Sequence, residues 1–178
     1  GITDMSTLIT QNKFDSNFND DISHWDVSSV TNMESMFWYA SSFNQDLKCW
    51  DVSNVTNMRG MFGQARVFNG DISTWNVSKV TNMIAMFSEA WAFNKPIGNW
   101  DVSSVTNMSS MFSIANKFNQ DISKWNVSKV TNMNNMFAMA WAFNQDIGSW
   151  NVSSVTDMGN MFNDARLFNA NISGWDVK

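Results

Sequence analysis

One cysteine, one histidine, one proline and one tyrosine occur in 178 residues. Cys49 has no second thiol to pair with, so an intrachain disulfide is excluded and the compartment cannot be read from cysteine usage. With His24 as the only imidazole, catalysis is poorly provided for. Charge is also scarce, at 15% of residues, and 11 Lys and Arg against 16 Asp and Glu leave a formal net charge of −5 and a pI near 4.6. A nucleic-acid partner would need a basic face to neutralise phosphates, so nucleic acid is not expected, and an anionic membrane surface is disfavoured for the same reason. No run approaches the roughly 18 apolar residues of a membrane-spanning helix, so no membrane insertion is expected. No basic-then-apolar leader opens the chain either, as in a mature domain cut from a longer precursor.

Against these absences stand 14 Met, 14 Phe and 10 Trp, and their abundance has one origin. Tryptophan falls at 25, 50, 75, 100, 125, 150 and 175, and Phe-Asn begins at 18, 43, 68, 93, 118, 143 and 168, a period of 25 with no insertion. V-T-[ND]-M begins at Val30, Val55, Val80, Val105, Val130 and Val155, each followed by xxMFxxA. A strict period in this range indicates stacked coils. In residues 43–65 the expected core is Phe43, Leu47, Trp50, Val52, Val55, Met58, Met61, Phe62 and Ala65. Burial at about 1.5–3 kcal/mol for each larger side chain does not offset ordering a whole coil at about 1–2 kcal/mol per residue, so one coil alone should not fold. Its neighbours must supply further burial and backbone pairing.

Two periodicities alternate within the coil. Trp50-Asp51-Val52 reads as a short strand with Trp and Val inward. Met58, Met61, Phe62 and Ala65 have the spacing of one helical face, which a two-turn helix or a 3₁₀ segment would fit, and Asn57 stands where a side-chain oxygen can cap free N–H groups. The Asn column from Asn19 to Asn169 suits either a left-handed helix end or a buried ladder of amides bonding from coil to coil. The expected fold is therefore α/β, about seven 25-residue coils with short parallel strands on one side and short helical or 3₁₀ segments on the other, in a single repeat array over 1–178. Residues 1–24 soften the pattern with Gln11, Asn12 and Asp15 and read as a degenerate N-terminal capping coil; the C-terminal coil reads as truncated and uncapped at Trp175-Asp176-Val177-Lys178.

W-D-V-S-x-V-T-N-M-x-x-M-F-x-x-A-x-x-F-N-Q-D-I resembles the repeat of the BspA-type leucine-rich-repeat surface proteins, in the subgroup first noted as a mycoplasma-type domain of unknown function. The resemblance runs from about Ile2 to Val177. It implies a right-handed, leucine-rich-repeat-like solenoid on a bacterial cell surface or in a secreted protein, with adhesion or binding as its use. Family members often carry Cys in the column filled here by Ala40, Ala65, Ala90, Ala115, Ala140 and Ala165, so in this chain that column is packing.

Most recurring residues read as structure. Cys49 and His24 share a column with Asp26 and Asp51 two residues on, an arrangement that raises a thiol–imidazole dyad or a metal site. The column continues as Thr74, Asn99, Lys124, Ser149 and Gly174, the variation of an exposed face, so no catalytic, cofactor or metal residues are assigned. The columns Asp21, Asp46, Asp71, Asp121, Asp146 and Asp26, Asp51, Asp101, Asp176 raise calcium, which needs six to eight converging oxygens; turn stabilisation is the better reading. The Thr column from Thr31 to Thr156 raises an ice- or mineral-binding array with Ser and Asn, although one Thr per coil is a thin array. The irregular positions carry the functional expectation: Trp38, Tyr39, Trp91 and Trp141, with Ile114 and Met139, are the candidate binding surface for a protein or glycan ligand on another cell or host. The expected protein is a non-enzymatic, extracellular or cell-surface adhesin-like repeat. The alternatives are a building block that assembles end to end, as a homo-oligomer through the C-terminal coil, and the ice-binding array.

Overall fold

The structure, a computed structural model, describes residues 1–10 and 17–177. Gln11, Asn12 and Asp15, which carry the expected polar N-terminal cap, lie outside them.

Apolar residues three apart close turns. In one coil the N–H of Trp50 donates to the carbonyl of Leu47, Val55 to Val52, Met61 to Met58, Ala65 to Phe62 and Phe68 to Ala65. Both ends of each turn face inward, and these residues are all buried, as the spacing of the apolar columns predicts.

The right-handed, leucine-rich-repeat-like α/β solenoid with strands and helices does not form. No helix and no continuous strand occurs among the described residues; extended pairing is limited to isolated parallel bridges that link Asp4, Asn32, Asn57, Asn82, Asn107, Asn132 and Asp157 in succession. The expected helical segment instead bonds alternately. Met61, Gly63 and Ala65 donate to the residue three before them, while Met58, Gly60, Phe62 and Gln64 donate across to Asn82, Ile84, Met86 and Ser88 of the next coil. Left-handed residues recur every fourth place, at Gly60 (φ 59°) and Gln64 (φ 58°) here and at Ser35, Tyr39, Ala85, Glu89, Ser110, Ile114, Asn135 and Met139 in other coils. A right-handed helix cannot contain them. Trp50-Asp51-Val52 is not a strand either, because it lies between the Leu47–Trp50 and Val52–Val55 turns. The coil-to-coil pairing sits further on, where Thr56 N–H donates to Thr31 and Met58 N–H to Asn82.

Three aromatic columns fill the interior. Phe62 stacks on Phe68 within its coil at 4.0 Å between centroids, on Phe37 at 5.4 Å and on Phe87 at 5.7 Å; Trp50 stacks on Trp75 at 6.4 Å. Each interior indole keeps a partner for its N–H, a requirement when tryptophan is buried. Trp50 donates to Ile22 O at 3.0 Å, Trp75 to Leu47 O at 2.9 Å and Trp100 to Ile72 O at 3.2 Å. In the coil 155–175 the same columns, Val155, Met158, Phe162, Phe168, Ile172 and Trp175, are only partly buried.

The Asn column forms the amide ladder, but at the surface. Asn44 N–H donates to Asn19 Oδ1 at 2.8 Å, Asn69 to Asn44 at 2.7 Å and Asn94 to Asn69 at 2.9 Å. Asn57 caps the Arg59 N–H two residues on at 3.1 Å, so the expected side-chain bond is present without a helix to start.

Candidate functional site

The turn train leaves two adjacent surface columns whose residues change from coil to coil. One is left-handed in every coil and reads Tyr39, Gln64, Glu89, Ile114, Met139, Asp164; the other reads Ser41, Arg66, Trp91, Asn116, Trp141, Arg166. Left-handed backbone costs a residue with a Cβ about 1–2 kcal/mol, and a β-branched residue is a true outlier there. Ile114 nevertheless holds φ 60°, beside the exposed Met139.

Trp91 is 40% and Trp141 37% exposed. The guanidinium of Arg66, one coil before, lies 4.4 Å from the Trp91 ring centroid; that of Arg166, one coil after, lies 4.3 Å from the Trp141 centroid. Each arginine has a carboxylate of its own, Arg66 with Glu89 at 3.9 Å and Arg166 with Asp164 at 3.2 Å. Trp141 is further fixed by its Nε1–H, which donates to Asp164 Oδ2 at 3.1 Å. The bonds from Arg166 and then Trp141 hold the Asp164 carboxyl below its usual pKa. Asn116 occupies the coil between the two indoles, and its Oδ1 is closed off from solvent without a hydrogen-bond partner. Sequence spacing placed Trp91 and Trp141 in one column; the arginine backing and the orphaned oxygen depend on side-chain directions that spacing does not carry.

Trp38 and Tyr39 form a separate pair, two coils before Trp91. Trp38 is a half-buried plate resting on glycines: a Cβ on Gly63 would fall 2.2 Å from its Cε3 and one on Gly60 2.6 Å away. Tyr39 packs edge-on against it at 5.9 Å and is 53% exposed.

His24 and Cys49 are both exposed. Cys49 opens onto a polar groove of about 630 Å³ lined also by Asp21, Asp46, Lys48 and Lys95, which His24 does not line. The acidic columns are engaged in turns. Asp51 Oδ1 accepts from Ser53 N–H at 3.0 Å, Asp101 from Ser103 at 3.0 Å and Asp121 from Ser123 at 2.9 Å, and Asn76 makes the same bond to Ser78 at 3.1 Å. Hydrogen bonds from the serine side chain, then its N–H, lower the Asp51, Asp101 and Asp121 pKa values. In the exposed Thr column each Oγ1–H donates to the carbonyl of the threonine one coil earlier, as Thr81 does to Thr56 at 3.3 Å and Thr106 to Thr81 at 3.2 Å, so those hydroxyl protons are not free for an external lattice.

No curated protein and no solved structure compared with the chain matches it. One family model does, over residues 3–112 and again over 85–178, which between them take in the whole repeat array. The chain belongs to the repeat family described as Mycoplasma protein of unknown function, DUF285.

Proposed function

We propose that this repeat protein is a non-enzymatic scaffold, displayed on a cell surface or secreted, that holds a protein partner against Trp91, Ile114, Met139 and Trp141. The observation that carries the reading is the pair of half-exposed indoles in one column, each backed by a guanidinium and set beside an exposed Met and a strained Ile. Trp, Met and Arg are the residues enriched at the centres of protein interfaces. An energetically costly Ile at φ 60° in a variable column suggests that its side chain is kept for contact rather than for the fold. A protein fits better than a glycan, because one face of each indole is already covered by arginine and is lost to sugar stacking. The surface location rests on the resemblance of the repeat signature to BspA-type surface proteins.

The test is to probe protein and glycan arrays with the labelled chain beside a Trp91→Ala/Trp141→Ala variant, with circular dichroism to verify the variant's fold. Protein signals lost in the variant support the reading. Glycan signals lost instead would transfer the surface to sugars, and signals equal for both chains would refute it.

A further inference from the structure

We infer that the polar groove onto which Cys49 opens is a second binding site, and that its ligand is a neutral oligosaccharide. The groove shares no lining residue with the Trp91 and Trp141 surface, so the inference does not depend on the protein-binding reading.

The amide ladder is incomplete at this groove. Elsewhere a glutamine reinforces it from the next coil: Gln45 Nε2 donates to Asn19 O at 2.7 Å, Gln120 Nε2 to Asn94 Oδ1 at 2.9 Å and Gln145 Nε2 to Asn119 O at 3.0 Å. The same column holds Gly at 70 and Lys at 95. Asn44 and Asn69 therefore receive no glutamine amide. Each of their Oδ1 atoms accepts one bond where an amide oxygen can take two, from Asn69 N–H at 2.7 Å and from Asn94 N–H at 2.9 Å. Both asparagines line the groove of about 630 Å³, together with Gln45 and Lys95. The cations are unpaired as well. Lys95 is half-buried and Lys48 exposed, yet the three ion pairs among the described residues all use arginine.

The lining groups select the ligand. Two carboxylates, Asp21 and Asp46, and two ammoniums, Lys48 and Lys95, leave the groove without net charge, so it favours neither an anion nor a cation. Asp46 gives Oδ1 to the Asp71 N–H at 2.7 Å and keeps its other oxygen. A ligand thus meets open acceptors at Asp46, Asn44 and Asn69 and open donors at Lys48 and Lys95. Hydroxyl groups, each donor and acceptor at once, satisfy both kinds. No large apolar side chain lines the groove, so it has no pocket for the aromatic anchors with which proteins bind one another. A second hollow of about 470 Å³ follows on the same columns, at Thr74, Asn99, Gln120 and Asp121, which extends the polar face to suit a chain of sugars rather than one.

Cys49 supplies the handle for the test, because it lines the groove, is exposed and is the only thiol in the chain. The whole 178-residue chain is applied to an array of neutral and acidic glycans in three forms: with Cys49 free, capped by a methylthio group, and capped by a polyethylene glycol maleimide. Neutral oligosaccharides should bind the first two forms, and the bulky cap should abolish that binding by filling the groove. Lys95→Met keeps the stem and removes the ammonium, so it should weaken the same signals about tenfold. Trp91→Ala/Trp141→Ala should leave them unchanged. The inference is overturned if no neutral glycan binds, if acidic glycans bind in preference, if the signals survive the bulky cap or Lys95→Met, or if they are lost with the two tryptophans. Protein signals in the tryptophan variant decide the protein-binding reading separately, so the failure of one leaves the other standing.

Discussion

Trp100 sits in the middle of the stack, and its replacement separates two contributions to the interior. The side chain is 3% exposed, stacks on Trp75 at 6.3 Å and Phe87 at 6.4 Å, and donates its Nε1–H to Ile72 O at 3.2 Å. Trp100→Ala removes the ring, opens a cavity and takes one of two donors from the Ile72 carbonyl, which keeps the Trp75 N–H at 3.2 Å, at a cost of about 3–5 kcal/mol. Trp100→Phe retains most of the ring and loses only the indole donor to a carbonyl that stays paired, so it should cost about 0.5–1.5 kcal/mol, the net worth of one hydrogen bond. For a chain of this size 1 kcal/mol corresponds to about 2–4 °C, so Trp100→Ala should lower Tm by roughly 10–15 °C and Trp100→Phe by roughly 1–6 °C. Both are measurable by circular dichroism in thermal and guanidinium melts. Trp100→Ala within 1 °C of the native chain would mean that the aromatic columns do not hold the coils together. A Phe variant as stable as the native chain would show that the indole-to-carbonyl bond contributes nothing.

Three further outcomes follow from local geometry. Gly63→Ala places a Cβ 2.2 Å from Trp38 and should destabilise by about 1–3 kcal/mol in denaturant melts, with most of the loss recovered in a Trp38→Ala background; no recovery would mean that Trp38 does not rest on this glycine. Ala85→Gly relieves a left-handed residue at φ 53° and should stabilise by about 1 kcal/mol, read as a rise in the guanidinium midpoint, whereas a fall would show the position is not strained. The aspartates that accept from serine have folded pKa values below the unfolded value of about 3.9, so their stabilisation is present above that value and is lost as pH falls through the lowered folded ones. Tm should therefore drop below about pH 4, and Asp101→Asn should be nearly silent at pH 7 because Asn76 already makes the same bond. A large loss at neutral pH would assign that carboxylate another role.

The sequence carried the inward face of this fold nearly completely and its backbone hardly at all. Phe43, Leu47, Trp50, Val52, Val55, Met58, Met61, Phe62 and Ala65 are all buried, as their unbroken columns predict. The same spacing suggested a helix after Asn57 and a strand at Trp50-Asp51-Val52, and neither exists. A β-turn and a helical turn both bring residues i and i+3 to one side, so apolar spacing cannot tell them apart. What distinguishes them is where each N–H goes, and here every second one leaves the coil for the next. A faint signal was present: Gly60 and several small or polar residues recur every fourth place, where the backbone is left-handed, but Ile114 and Met139 in the same columns obscure it.

That alternation also explains why function is confined to so few positions. A residue whose side chain points inward is fixed by the aromatic columns of two neighbouring coils, and the Asp, Asn and Ser residues at the turns are fixed by bonds to N–H groups two residues on or one coil away. A substitution at either kind of position is felt by adjacent coils, so neither can vary to suit a ligand without cost to the stack. In the two columns from Tyr39 to Asp164 and from Ser41 to Arg166 the bond that recurs from coil to coil is a backbone one, as from Gln64 N–H to Ser88 O, so the side chains are left to vary. Chemistry placed there repeats along the stack at one or two coil intervals, which is how Trp91 and Trp141 come to flank Asn116 in one column, each with an arginine one coil further out. In such a scaffold, coil spacing sets the distances in a binding surface, and selection can act on it by changing one residue per coil.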